Sequence, residues 1–94
     1  MQFLFFYLMK DEPDRVREVA SHHASYWRGL EPEQYMGGPF TDRSGGLITF
    51  ETPLLEEAEH LAANDPFLQQ GLVRAHWVKE WMVERSPKRE TSRT

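Results

Sequence analysis

Two residues of this chain, His23 and Asp65, carry the side chains that proton-transfer chemistry needs. An imidazole titrates near neutral pH and can act as a general acid or base once a partner orients it. A carboxylate can be that partner, since it accepts the imidazole N–H and stabilises the imidazolium. No serine or cysteine nucleophile can be assigned to the pair. The combination therefore favours proton transfer over acyl transfer.

Each of these residues also has a purely structural interpretation. His23 can be a core histidine that is hydrogen-bonded to the backbone, and Asp65 can be the N-cap of a helix that begins at Pro66. The two roles of Asp65 are compatible, because a carboxylate has lone pairs for both a backbone N–H and an imidazole N–H. Taken by themselves, the residues leave both interpretations open.

A predicted helix from Pro13 to about Leu30 positions His23. Its apolar residues recur at helical spacing and form one stripe, with His23 at the centre. The stripe consists of Val16, Val19, Ala20, Tyr26, Trp27 and Leu30. Glu31-Pro32 ends the helix, because a residue before proline disfavours helical backbone angles. His23 is therefore predicted to face the core rather than the solvent.

The rest of the chain divides into short elements with turn residues between them. Predicted strands cover residues 2–9, 34–40, 47–51 and 72–83, and further helices begin at Pro53 and cover residues 66–70. The order β-α-β-β-α-(α)-β predicts a ferredoxin-like α+β fold: a four-stranded antiparallel sheet with helices on one face. We expect one domain over residues 1–84, followed by a disordered basic tail over residues 85–94.

The first strand, Gln2–Met9, is apolar at nearly every position, so both of its faces need cover. Helices on one face of the sheet leave the other face uncovered. A second copy of the chain is the simplest cover. The sequence therefore predicts a homodimer packed sheet to sheet.

Composition excludes several classes of function. The 94 residues contain no cysteine, which excludes a disulfide framework, a zinc ribbon and an iron–sulfur cluster and fits a cytoplasmic protein. Four scattered histidines lack metal-ligand spacing, so we expect neither a metal nor another cofactor. The net charge is −4, but residues 85–94 carry +3 and residues 1–84 therefore carry −7, which disfavours nucleic-acid binding. The longest apolar run, Phe3 to Met9, is too short for a membrane helix.

Several short motifs occur together in a characteristic order. They are His23-Ala24-Ser25-Tyr26, Gly38-Pro39-Phe40, Gly45-Gly46-Leu47-Ile48, Leu61-Ala62-Ala63-Asn64-Asp65-Pro66-Phe67 before Gly71-Leu72, and Val78-Lys79-Glu80-Trp81. With these motifs the chain resembles the YCII-related (YciI-like) family over about residues 1–84. It departs from the usual pattern after His23, where the segment is shorter and Glu31-Pro32 replaces a glycine turn.

The resemblance implies a ferredoxin-like fold related to the dimeric α+β barrels, and a homodimer with a small-molecule pocket. It also implies a His–Asp active-site pair, which falls on His23 and Asp65. We therefore expect a small enzyme, without metal or cofactor, that performs elimination, isomerisation or lactone-type chemistry on a small cyclic or aromatic metabolite. Tyr7 and Phe67 are expected to form pocket walls, and Gly38-Pro39 to let the backbone approach the substrate.

Two alternatives to an enzyme remain. The same pocket could hold a small molecule without changing it, which would make the protein a binding module. In the second alternative the protein is a structural dimer, in which the contact between His23 and Asp65 only locks the helices together.

Overall fold

The structure, a computed structural model, describes residues 1–85. Residues 86–94, and with them all but Arg85 of the predicted basic tail, lie outside the described residues. The elements are β1 (Gln2–Met9), α1 (Pro13–Leu30), β2 (Glu33–Pro39), β3 (Gly45–Glu51), α2 (Leu55–Ala63), α3 (Pro66–Gln69) and β4 (Val73–Glu80). This is the predicted element order.

The four strands form one antiparallel sheet in the order β2-β3-β1-β4. β1 and β3 are central, as their largely apolar sequences predict. In the middle of the sheet Phe5 of β1 lies opposite Ile48 of β3 and Val78 of β4. The predicted ferredoxin-like α+β fold is confirmed.

Alternation along the strands gives the sheet two different faces. The side that the three helices cover, called here the helix face, carries Phe3, Phe5 and Tyr7 of β1, all of which are buried. These three side chains share one core cluster with residues of every helix: Trp27, Ala58, Ala62 and Phe67. The opposite side, called here the open face, carries the intervening residues of β1 and no helix. The core therefore lies between the helix face and the helices.

α1 begins and ends where its sequence predicts. Pro13 occupies its first turn, where the missing proline N–H has no helical partner to lose. At the other end Glu31 adopts a left-handed conformation with φ of 47°, and its N–H donates to the carbonyl oxygen of Arg28. Glycine usually takes this conformation, so Glu31 supplies the turn that the usual glycine would have given. Trp27 is the buried residue of this helix.

Three predicted boundaries are wrong by two or three residues, the first being the start of β3, which lies at Gly45 rather than at residue 47. The second helix begins at Leu55 rather than at Pro53, and Thr52 instead donates its hydroxyl to Glu57 at 2.6 Å. β4 ends at Glu80 rather than at residue 83, because its partner strand β1 begins at Gln2. The Trp81 N–H donates to the Gln2 carbonyl oxygen, at the start of β1. Among the described residues, no helix has the length and the apolar character needed to cross a membrane.

Candidate active site

His23 lies on α1 with its imidazole directed toward the helix face. The side chain is 16% exposed, so it is largely enclosed but not sealed from solvent. Its Nδ1 atom lies 2.8 Å from Oδ2 and 3.0 Å from Oδ1 of Asp65, which comes from the α2–α3 junction. The two residues are 42 positions apart in the sequence, and the packing of α1 against α3 brings them together.

Asp65 is completely buried and is the N-cap of α3. Its Oδ1 accepts the backbone N–H of Phe67 at 2.7 Å, which is the predicted capping role. Its Oδ2 accepts the indole N–H of Trp27 at 2.7 Å. The carboxylate therefore has three donors around it, namely a backbone amide, an indole and the imidazole of His23. A buried charge needs this kind of compensation.

Sequence reasoning assigned Trp27 to the packing stripe and missed its polar contact. Trp27 follows His23 by four residues, so the two side chains lie on the same side of α1. This spacing could have predicted the contact, because an indole N–H that is buried on a packing face needs a hydrogen-bond acceptor, and the acceptor of His23 lies on the same side of the helix. One buried carboxylate supplies the acceptor for both residues of α1.

These contacts fix the orientation of the imidazole. With Nδ1–H donated to Asp65, Nε2 is the free acceptor, and it lies 3.4 Å from the hydroxyl oxygen of Tyr7. The ring of Phe67 stacks on the imidazole with centroids 4.3 Å apart and planes 19° apart. His23 is thus held on its edge by Asp65 and on its face by Phe67, and its basic atom Nε2 faces the Tyr7 hydroxyl.

Tyr7 is 3% exposed, and burial raises the pKa of its phenol above the ordinary value, as the nearby charge of Asp65 also does. Its ring fits against a glycine on the neighbouring strand. Gly46 lies opposite Tyr7 in the sheet, and a Cβ atom at Gly46 would collide with the phenol hydroxyl. The glycine therefore leaves the room that lets the Tyr7 hydroxyl lie beside His23.

The predicted site residues fall in two places. Tyr7 and Phe67 contact His23 directly, and Pro39 lies opposite Gly46 in the sheet beside the Tyr7 position. Gly38 belongs to edge strand β2 and lies opposite Leu47, on the open face, with open space around its Cβ position. Binding roles for these four residues stay predictions.

A cavity of about 540 Å³ lies between the end of β1, the first half of α1 and the β2–β3 hairpin, and His23, Asp65, Tyr7 and Phe67 are not among its lining residues. Its apolar wall includes Met9, which follows Tyr7 by two residues on β1, and Ala20, which precedes His23 by one turn of α1. The tip of the β2–β3 hairpin, with Asp42 and Arg43, forms the opposite wall. Pockets for small molecules commonly enclose about 300–1,000 Å³, so this one has room for a single-ring ligand.

The other three histidines lie apart from this cluster. His22 lines a separate cavity between α1 and α3, and the His60 ring contacts the Asn64 amide at 3.3 Å. His76 lies on β4 opposite Tyr7, with its ring edge toward Phe5. Within residues 1–85, no three or more His, Cys, Asp or Glu side chains converge to hold a metal ion.

Comparison with known proteins places the chain in a family. The family model for the YCII-related domain matches residues 1–82, and the chain belongs to this family. An uncharacterized protein of Bacillus subtilis (strain 168), YjpA, is 32% identical over 78 residues, which are 82% of this chain and 91% of that protein.

A solved structure is similar over most of both chains. It is that of 5-chloro-2-hydroxyhydroquinone dehydrochlorinase (TftG) from Burkholderia phenoliruptrix AC1100, in complex with 2,5-dihydroxybenzoquinone. The TM-score is 0.75 and the sequence identity 28%, over 87% of this chain and 94% of that chain. The fold and the family predicted from the sequence motifs are therefore both confirmed.

Proposed function

We propose that the protein is a small acid/base enzyme that acts on a single-ring, cyclic or aromatic metabolite. The observation that carries this proposal is the geometry of His23, whose Nδ1 is held by Asp65 while Nε2 stays unengaged except for the long contact to Tyr7. A histidine in this arrangement has one fixed tautomer and one basic nitrogen.

In the proposed reaction, Nε2 of His23 takes a proton from the substrate and later returns it to the product or to water. Asp65 stays ionised and stabilises the imidazolium that forms, and its contacts with Trp27 and Phe67 keep it in place. Elimination, isomerisation and lactone chemistry all need a proton moved in this way. A positioned acid/base group contributes about 10²–10⁴-fold to such rates.

The similarity to the dehydrochlorinase supports a substrate of the hydroquinone type. Dehydrochlorination removes a proton and a chloride ion, so it requires a base, which is the role proposed here for His23. The cavity lined by Met9, Ala20 and Arg43 has the volume for one substituted ring. We therefore take halogenated hydroquinones, starting with 5-chloro-2-hydroxyhydroquinone, as the first substrates to test.

The test is release of chloride from this compound by the purified protein and by His23→Gln. We expect kcat/KM to fall by about 10²-fold or more in His23→Gln, because the glutamine cannot take up a proton. His22→Gln is the matched control, since it makes the same change on the neighbouring residue and should keep wild-type turnover. Full turnover by His23→Gln would contradict the proposed role.

The contacts of Asp65 also support a second candidate, a structural or ligand-binding dimer without catalysis. Asp65 caps α3 and binds Trp27 of α1 whether or not His23 reacts, so the cluster has a role in stability in any case. A ligand that raises the melting temperature and is recovered unchanged would favour this alternative. A variant such as His23→Gln would then change stability alone.

We also propose that two copies of the chain pack open face to open face. On this face Leu4, Phe6 and Leu8 of β1 are only partly buried, and Trp77 of β4 is 45% exposed. Phe6 contacts both Trp77 and Phe40 with ring centroids 5.3 Å and 5.5 Å apart, so the apolar surface is continuous across strands. Apolar patches of this kind typically mark protein interfaces.

The assembly is tested by light scattering after gel filtration. We expect a mass of twice 11.1 kDa for the wild type and a monomer for Trp77→Asp, because a carboxylate in the centre of an apolar interface is not solvated. His76→Asp is the matched control, since His76 is the neighbouring residue but lies on the helix face. A wild-type monomer would refute this interface.

A further inference from the structure

Trp27 and His23 meet at one oxygen atom of the Asp65 carboxylate. The indole N–H of Trp27 donates to Oδ2 at 2.7 Å, and Nδ1 of His23 lies 2.8 Å from the same oxygen. The other oxygen, Oδ1, accepts the backbone N–H of Phe67 at 2.7 Å. Each oxygen of the carboxylate therefore has one donor that does not depend on the state of His23.

The donor from Trp27 is fixed in direction and in chemistry. The side chain is completely buried, and its ring lies 5.3, 5.4 and 6.1 Å, between centroids, from the rings of Tyr26, Phe50 and Phe5. An indole N–H donates and never accepts, whereas a hydroxyl can do either. The contact with Asp65 therefore keeps one direction, whichever protons the pair holds.

The number of protons on the Asp65–His23 pair decides whether His23 can be a base. With one proton, on Nδ1, the carboxylate is ionised and Nε2 is bare and basic. With two protons, Nε2 carries one of them and cannot accept another. Burial of the carboxylate favours the second form, and hydrogen-bond donors to the carboxylate favour the first.

Three phenols lie within reach of the Asp65 charge, and they stay neutral near pH 7. They belong to Tyr7 on β1, Tyr26 on α1 and Tyr35 on β2, and burial raises the pKa of each. The Tyr7 hydroxyl is the one that faces Nε2, at 3.4 Å. Near neutral pH these neighbours add no charge, so the protonation of the site depends on the pair and on its donors.

We propose that Trp27 is a positioning residue that keeps the Asp65–His23 pair in its one-proton form and thereby leaves Nε2 able to accept a proton from the substrate. Trp27 acts through Asp65 and does not contact the reacting atoms. The inference rests on the proposed function, because it concerns the base of that reaction. It adds a third member to the pair, contributed by the same helix as His23.

Tyr26 offers a matched contact that does not involve the pair. Its hydroxyl donates to the Leu61 carbonyl oxygen at 2.7 Å, so it also joins α1 to a neighbouring helix by one hydrogen bond. Tyr26→Phe removes this donor and keeps the ring, as Trp27→Phe removes the indole donor and keeps an aromatic ring. A role in stability alone predicts the same result for both variants.

The test measures the protonation of the two ring nitrogens of His23 by ¹⁵N NMR. Spectra are recorded at about pH 7.5, about one unit above the pKa of a free imidazole, on the full chain with labelled histidines. The His23 signals are identified by their absence from His23→Gln. The proteins compared are wild type, Trp27→Phe, Tyr26→Phe and a chain with 3-benzothienylalanine at position 27, in which sulfur replaces the indole N–H and the ring size is kept.

We expect a protonated Nδ1 and a bare Nε2 in wild type and in Tyr26→Phe. In both proteins altered at position 27, the ratio of protonated to bare Nε2 should rise about tenfold, which is typical for loss of a hydrogen bond to a charged group. The kcat for chloride release should fall in proportion to the bare fraction that is lost, with KM changed less than about twofold.

An unchanged ratio in both proteins altered at position 27 would overturn the proposal, even if both were less stable than wild type. An equal rise in Tyr26→Phe would overturn it too, because any lost contact of α1 would then have the same effect. The benzothienyl protein keeps the packing of the indole, so it decides the question if Trp27→Phe does not fold.

Failure of this proposal is distinguishable from failure of the proposed function, because the NMR measurement needs no substrate. If the ratio shifts as expected and the wild type releases no chloride, Trp27 controls the protonation of His23 and the proposed reaction is wrong. If the wild type releases chloride through His23 and the ratio does not shift, the base stands and Trp27 is not its positioning residue.

Discussion

The two faces of the sheet are similar in sequence and different in chemistry. β1 contributes Phe3, Phe5 and Tyr7 to the helix face and three other large apolar residues, Leu4, Phe6 and Leu8, to the open face. Yet the helix face encloses a completely buried carboxylate, an imidazole and an indole N–H. The open face has Thr49 as its buried polar side chain, and that hydroxyl lies 3.4 Å from the Met36 carbonyl oxygen of the edge strand.

This difference separates two uses of apolar surface. On the helix face, apolar residues enclose polar groups and thereby strengthen their interactions, since charges interact more strongly where water is excluded. On the open face the buried polar group is the uncharged Thr49 hydroxyl, so the apolar residues there contribute mainly contact area for another surface. Changes on the helix face should therefore affect folding and the site, and changes on the open face should affect assembly.

Removal of Asp65 is expected to have the largest effect. Asp65→Ala leaves the Trp27 indole N–H, the Phe67 amide and the His23 imidazole without their acceptor in a buried position. We expect a loss of about 3–5 kcal/mol in the free energy of unfolding, as is typical when one partner of a buried charged network is removed. Urea unfolding followed by Trp fluorescence measures it.

Asp42→Ala is the control for that experiment. Asp42 also accepts a backbone N–H two residues ahead, but it lies in an exposed hairpin turn. We expect a much smaller loss there, because water can replace the carboxylate. Comparable losses of unfolding free energy in the two variants would mean that the buried cluster stabilises the protein no more than an exposed turn does. The proposed difference between the helix face and the open face would then be wrong.

Two glycines in neighbouring strands test the same contrast at a smaller scale. A Cβ added at Gly46, on the helix face, would lie 2.6 Å from the Tyr7 ring, whereas at Gly38, on the open face, it would meet nothing within 4 Å. We expect Gly46→Ala to lose about 1–3 kcal/mol, as overpacked cores do, and to disturb the NMR signals of His23.

Gly38→Ala is expected to leave the stability of the isolated chain within about 0.5 kcal/mol, as surface changes usually do. Thermal unfolding of both variants measures the difference. A Gly46→Ala variant as stable as Gly38→Ala would show that the Tyr7 phenol does not need the room that the glycine leaves.

The fold was predictable because each signal for it is local. The proline at the start of α1, the helical stripe through Trp27 and the Asp65-Pro66 cap each act within a few residues, and the structure has all three, except that Ala20 and Leu30 of the stripe are exposed. The approach of His23 to Asp65 was predictable from topology, since both helices cover one face. The end of β4 was predicted wrongly because it is set by Gln2, distant in sequence, whose carbonyl oxygen accepts the Trp81 N–H. The start of α2 is set more locally, where Thr52 donates its hydroxyl to Glu57 of the first turn.

The finer structure of the site was not predictable for a related reason. The sequence pattern identifies Trp27 as an apolar residue of the α1 packing stripe. Its indole N–H gains its acceptor, Asp65, only when α3 packs against α1. Likewise, the sequence predicts Gly46 in a turn, whereas the strand register places it opposite Tyr7. Helical or strand periodicity assigns a residue to a face of the helix or sheet. It does not predict which polar atoms on that face form hydrogen bonds with each other.

The three tyrosines give the smallest and most specific test of the helix face. Tyr7 and Tyr35 lie on that side of the sheet and Tyr26 lies on α1, and burial raises the pKa of each phenol. A raised pKa in the folded state means that the folded chain holds the proton more tightly than the unfolded chain does. Stability from this source is complete below about pH 10, where a free phenol is protonated, and is lost as the pH rises further.

Tyr7→Phe should therefore reduce the alkaline loss of stability. At pH 7 we expect a change of at most about 1 kcal/mol, because the contact with Nε2 is long at 3.4 Å. Above about pH 10, the wild type should lose up to about 1.4 kcal/mol per pH unit through this residue, and the variant should lose that much less. Urea unfolding between pH 8 and 11 measures the slope of the unfolding free energy against pH.

Tyr35→Phe is the control, at a residue 40% exposed, and it should reduce this slope less than Tyr7→Phe does. Equal slopes for all three proteins would mean that Tyr7 ionises as readily as an exposed phenol, and the enclosure of the His23 cluster would then be incomplete.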